Sequence, residues 1–210
     1  MIKRTQFLLV CYCVALISCN SKKSKSDIEI EFAQDTLTVG YTYWWPESGP
    51  FIGQCGDELS LVFSGTISNL QQPNDDAGPL YTSQKGTIEI DRVYKIKDLG
   101  ESNYANQKFI VTDCFHGLDL NTGDSVLVFC YDFEEDYTVP GGKSILKITD
   151  MDDPLIASIK RYIDTDQNAV HLKKDIGIWA NAGLGRKLQE VIKCAEEMNS
   201  ELPLNSIDIQ

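Results

Sequence analysis

Leu59-Ser60-Leu61-Val62-Phe63-Ser64-Gly65-Thr66-Ile67 is apolar and β-branched without a helical period, so it reads as a strand, with Gly65 where a strand bends or bulges. From there the chain keeps a β grammar for nearly a hundred residues. A loop from Gln71 to Gly78 carries Pro73-Asn74-Asp75-Asp76, and Thr87-Ile88-Glu89-Ile90-Asp91 then alternates. Val93 breaks that parity before Tyr94, which predicts a bulge near Arg92. Lys108 to Thr112 is a further short strand. Ser125-Val126-Leu127-Val128-Phe129-Cys130-Tyr131 follows a Gly123-Asp124 turn and is apolar on both faces, as a central strand would be. Ser144 to Thr149 closes the series. At Asp152-Asp153-Pro154 the pattern changes to an acidic cap and a proline in a first helical turn, with Leu155, Ile156, Ile159, Tyr162 and Ile163 on one face. A second helix from about Leu184 carries Leu188, Val191, Ile192, Ala195 and Met198 as its stripe. The expectation is a mainly β domain covered by C-terminal helices over about 152–210.

Upstream, Ile28-Glu29-Ile30-Glu31-Phe32 alternates as a strand or extended segment does. Tyr41-Thr42-Tyr43-Trp44-Trp45-Pro46 is the densest aromatic stretch. Its tryptophans either cap the open end of a core or form a platform for a sugar or a partner protein. Asn20 to Asp27 is polar, basic and without apolar anchors, which reads as a flexible tether over 19–27. Before it, Lys3 and Arg4 precede an apolar run from Phe7 to Ile17, and Leu16-Ile17-Ser18-Cys19 has the order of a bacterial lipoprotein cleavage site. The run is too short for a membrane-spanning helix, which needs about 20 apolar residues. Residues 1–18 are thus expected to leave as a signal peptide, with Cys19 the acylated mature N-terminus and 28–210 the folded domain. The protein would be anchored by palmitate-type chains in the cell envelope, at the outer membrane on its periplasmic side or surface.

Without residues 1–18 the chain has 17 basic and 31 acidic residues, a net charge of −14. Such a chain repels phosphate backbones and anionic headgroups, so nucleic acid is not an expected partner and the membrane is reached through the lipid. Four cysteines remain besides Cys19: Cys55, Cys114, Cys130 and Cys194. In an oxidising compartment they allow one or two disulfides, in three full connectivities. Only two histidines are present, His116 and His171, without metal-ligand spacing, and no metal or other cofactor is expected.

Signals of chemistry are few. There is no Gly-x-Ser-x-Gly elbow. Cys114-Phe115-His116 places a thiol and an imidazole two apart, on one face if extended. Ala182-Gly183-Leu184-Gly185-Arg186-Lys187 lacks phosphate-loop spacing and reads as a helix-entry turn. Asp164-Thr165-Asp166-Gln167-Asn168, with Asp175 at the twelfth place, is loosely spaced like a calcium loop, but Ala169 stands where a glycine is wanted. Glu134-Glu135-Asp136 reads as a solvated hairpin tip.

Taken in order, Cys55 before Phe63-Ser64-Gly65-Thr66-Ile67, then Ile90-Asp91-Arg92-Val93-Tyr94-Lys95, then Cys114 before Gly123-Asp124-Ser125-Val126-Leu127-Val128-Phe129, resembles the bacterial relatives of the tissue inhibitors of metalloproteinases. The resemblance covers roughly Cys55 to Tyr131. It implies an OB-like five-stranded antiparallel barrel. It also implies a disulfide between Cys55 and Cys114, and a segment before the first barrel strand that reaches out to a partner. Here that segment carries Tyr43, Trp44, Trp45 and Phe51, residue types enriched at binding hot spots. The inhibitors chelate the protease zinc through the free amine of an N-terminal cysteine. An acylated Cys19, far from Cys55 and with no Cys-x-Cys beside it, does not supply that group.

The expected function is a lipid-anchored envelope protein without an evident catalytic site that engages a protein or glycan partner. The rival expectation is an envelope glycan hydrolase, whose mark would be two carboxyl groups about 5 to 10 Å apart in a cleft.

Overall fold

The computed structural model describes residues 24–41, 45, 47–75, 82–100 and 103–201. Among the described residues the eight strands are β1 (Ala33–Thr38), β2 (Gly40–Tyr41), β3 (Leu59–Leu70), β4 (Gly86–Ile96), β5 (Gln107–Thr112), β6 (Ser125–Phe133), β7 (Asp136–Val139) and β8 (Ile145–Lys147). Three helices follow: α1 (Pro154–Asp164), α2 (Ile176–Asn181) and α3 (Gly185–Glu201), with a 3-10 stretch at Ala169–Asp175. The protein is therefore mainly β with C-terminal helices, on a curled, half-barrel sheet.

Strands run in the order β1-β5-β4-β3-β6-β7-β2, and β8 shares the β6 edge with β7. Within that path β3, β4 and β5 form a meander and β6 returns antiparallel beside β3, which is a Greek key. The two outermost strands, β1 and β2, are neighbours in the chain. One segment, 33–41, pairs parallel with β5 through Ala33–Thr38 and parallel with β7 through Gly40 and Tyr41. It thereby brings the two edges of the curled sheet together, and Val39, between the two pairings, is buried.

This corrects the expected strand count. The five anticipated strands correspond to β3, β4, β5, β6 and β8; β7 and the upstream pair β1 and β2 make eight. The alternation of Ile28, Ile30 and Phe32 is real, since all three pack partly buried on the inner core, but backbone pairing starts only at Ala33. Between Gly65 and Val62 the β3–β4 register slips at Asp91 and again at Tyr94, the expected bulge around Arg92. Gly65 is required there: a Cβ on it would lie 2.4 Å from the Glu89 carbonyl oxygen.

The sheet separates two cores. Inside the curl lie Leu61, Phe63, Ile67, Ile88, Ile90, Val126, Val128 and Cys130. Outside it, Leu59, Val62, Leu127, Phe129 and Tyr131 meet the helices through Ile159, Tyr162, Trp179, Leu188 and Val191. This two-sided burial is why β6 is apolar on both faces. Asp153 caps α1 by accepting from Leu155 N at 2.9 Å, with Pro154 in the first turn. A buried polar chain joins the helices: Trp179 Nε1 donates to Ser158 Oγ at 2.8 Å, Ser158 donates to Asp175 at 2.8 Å, and Arg161 pairs with Asp175.

Candidate functional site

Residues 47–57 form a strap across the helix-covered side of the sheet. Glu47 accepts from Gly53 N at 2.7 Å and pairs with Lys187 of α3 at 2.6 Å. Tyr131 Oη donates to Gly49 O at 3.1 Å, and Ser144 Oγ accepts from Gly49 N at 2.8 Å. Cys55 closes the strap onto α3 through a disulfide with Cys194, Cα to Cα 5.2 Å.

The expected Cys55–Cys114 pairing is thus corrected. Cys114 follows β5 and points into the inner core, whereas Cys55 lies over the outer one, so the sheet stands between them. Cys114 and Cys130 are both buried thiols, and burial pushes both far above the ordinary thiol range. Cys114 does not meet His116 either, because the thiol is buried and the imidazole exposed.

Of the residues expected to engage a partner, Phe51 is core. It is fully buried and lies edge-on to Tyr162 at 5.7 Å and to Trp179 at 4.8 Å. Tyr43 and Trp44 lie outside the described residues, as does the lipidation residue Cys19. Trp45 is half-buried, packed edge-on to Tyr131 at 6.3 Å and 67° and to Phe133 at 5.7 Å and 76°. Phe133 ends β6 at the hairpin to β7, whose tip is the two-residue turn Glu134-Glu135. Trp45 and Phe133 therefore make a partly exposed aromatic ledge beside that hairpin.

The loosely calcium-like carboxylates are each held by the protein. Asp164 accepts from Ser24 and Ser26, Asp166 pairs with Lys25, and Asp175 with Arg161. Among the described residues no group of three or more His, Cys, Asp or Glu is arranged to hold a metal ion. Gly183, at φ +73°, ends the turn between α2 and α3, in keeping with a helix-entry role for Ala182–Lys187.

One carboxylate pair lies close together. Glu58 and Asp132 flank Lys97 at 3.4 and 3.3 Å, and Glu58 also bonds Lys95 at 3.0 Å. Partial burial acts to raise the Glu58 pKa, but the two lysines outweigh it and hold the group below its ordinary range. A glycosidase acid needs the opposite shift.

A groove of about 460 Å³ opens beside this cluster, lined by Lys25, Ile28, Glu58, Lys95, Asp166 and Gln167. Ser24 and Ser26, which flank Lys25 of this lining, were read from the sequence only as part of a tether. Residues 24–27 of the expected flexible tether form a turn docked on the end of α1, and 19–23 lie outside the described residues. No helix among the described residues is long and apolar enough to cross a membrane. No known family's model matches the chain, and neither does any curated protein.

Proposed function

We propose that the chain is a lipid-anchored protein of the bacterial cell envelope, held through Cys19, that uses its barrel to bind a protein or glycan partner. The lipoprotein order of Leu16 to Cys19 supports the address. The Greek key of β3 to β6, extended by β7, supports an OB-like barrel widened by the 33–41 segment. In OB barrels the loop joining the fourth and fifth strands borders the ligand face. The β6–β7 hairpin begins the connection between β6 and β8, the fourth and fifth of the anticipated barrel strands.

The observation that carries the reading is the ledge of Trp45 on Phe133 beside this hairpin. A large, rigid aromatic ring supported at its edge and partly exposed offers contact area at small entropic cost. The test is capture by the lipidated chain in envelope preparations, using cross-linking to envelope proteins and sedimentation with envelope glycan. A partner held by the wild type and lost from Trp45→Ala, at a similar melting temperature, supports the ledge. Equal capture by both means the ledge is not the binding face.

A further inference from the structure

The described chain begins in a clasp. Ser24 Oγ donates to the Asp164 carboxylate at 2.8 and 2.7 Å, and Ser26 N donates to the same group at 2.9 Å. Ser26 is fully buried. Lys25 pairs with Asp166, and Asp27 with Lys160 at 2.7 Å, so four consecutive residues are fixed to the end of α1 and the turn after it. Asp164 is the last residue of α1, where the negative end of the helix dipole disfavours a carboxylate. Burial adds to that penalty, yet the serine donors outweigh both and hold its pKa below the ordinary range. The clasp is therefore what makes an ionised Asp164 favourable at this position.

We propose that the clasp is a stand-off device that sets the domain on its membrane with the groove face, around Lys25, Lys95 and the end of α1, against the lipid headgroups. The inference rests on lipidation of Cys19. From Cys19 to Ser24 a fully extended chain reaches at most about 18 Å. A compact domain of this length is roughly 40 Å across. The clasped domain cannot turn over on so short a leash, so the clasp side faces the bilayer.

If Ser24 to Asp27 were released, the next residue held to the domain would be Ile28, which packs partly buried on the inner core. The leash would then reach about 32 Å, nearly twice as far, and the domain could tilt over a correspondingly wider range. The chemistry of the face fits a headgroup surface. Lys25, Lys95 and Lys160 each pair with a carboxylate, Asp166, Glu58 and Asp27, so that with Asp164 the face is close to neutral on a strongly acidic chain. Elsewhere that acidity would be repelled by anionic lipid.

The experiment is amine footprinting of the full lipidated protein in vesicles of phosphatidylethanolamine with a minor phosphatidylglycerol fraction, against the same protein in detergent. Lys25 and Lys160 should label several-fold more slowly in vesicles, whereas Lys147, which is 55% exposed beside the start of α1, should label equally in both. In Ser24→Ala/Ser26→Ala, and independently in Asp164→Asn, that contrast should shrink markedly while the protein still floats with the vesicles and keeps its fold by circular dichroism. Floating protein whose Lys25 and Lys160 label alike in vesicles and detergent overturns the proposal. So does a clasp variant that keeps the wild-type footprint. Protein that does not float and has an unmodified N-terminal peptide refutes lipidation instead, which separates the two failures.

Discussion

Removing the Cys55–Cys194 disulfide should lower stability without abolishing the fold. The bond joins residues 139 apart, and a cross-link over so long a loop removes enough unfolded-state entropy to stabilise by about 5 kcal/mol in the chain-entropy model. For a domain of this size, that corresponds to a fall in melting temperature of roughly 10–20 °C. The strap would still be held by Lys187 to Glu47 and Gly53 and by Tyr131 to Gly49, so unfolding should remain a single transition. The assay is thermal unfolding of the wild type, Cys194→Ala and Cys114→Ala, each with and without reductant. Wild type and Cys114→Ala should respond to reductant, and Cys194→Ala should not. Peptide mapping of unreduced protein that joined Cys55 to Cys114, or a wild-type melting temperature insensitive to full reduction, would refute the reasoning.

Two further outcomes follow from backbone and titration. Glu134 and Glu135 both sit in the left-handed region, at φ 54° and 66°, in the two-residue β6–β7 turn that favours Asn-Gly. Left-handed backbone costs an ordinary residue roughly 1–2 kcal/mol, so Glu134→Asn/Glu135→Gly should raise the midpoint of urea unfolding by a comparable free energy at an unchanged slope. No gain would mean the turn is relaxed differently. For pH, Cys114 and Cys130 are held neutral by burial, so their folded values lie above the ordinary thiol value of about 8.5. Groups with raised folded values give their full stability below that pH and lose it above, here by about 1.4 kcal/mol per pH unit for each thiol. Stability should therefore decline from about pH 8.5 upward, and the decline should flatten in Cys114→Ala/Cys130→Ala. A double variant with the wild-type alkaline slope would show that the thiols are not responsible.

How far the sequence could be read depended on how local the determining contacts are. β3, β4 and β6 were legible because alternation, a parity break and two-sided apolarity are local records of burial, and α1 announced itself through Asp153 and Pro154. Segment 33–41 was not legible as the piece joining both sheet edges. Few of its side chains are buried, and its parallel partners lie some seventy to a hundred residues away. The disulfide was equally non-local: four cysteines permit three pairings, and only the side of the sheet each one occupies selects among them. Aromatic density marked Tyr41 to Phe51 as important but does not distinguish Phe51, sunk between Tyr162 and Trp179, from Trp45, which is only half-buried. Ser24 and Ser26 have linker composition; their partner Asp164 lies about 140 residues downstream. The six-residue α2, with Trp179 at the centre of the outer core, is too short to show a period around Gly177.

The membrane address can be measured at one peptide. Protein extracted from membranes with detergent and digested should yield an N-terminal peptide starting at Cys19, its mass increased by a diacylglycerol and an amide-linked acyl chain. Cys19→Ala should leave an uncleaved precursor or soluble protein. A mature peptide that begins elsewhere, or one that carries an unmodified Cys19, would contradict the lipid anchor and with it the orientation drawn from the clasp.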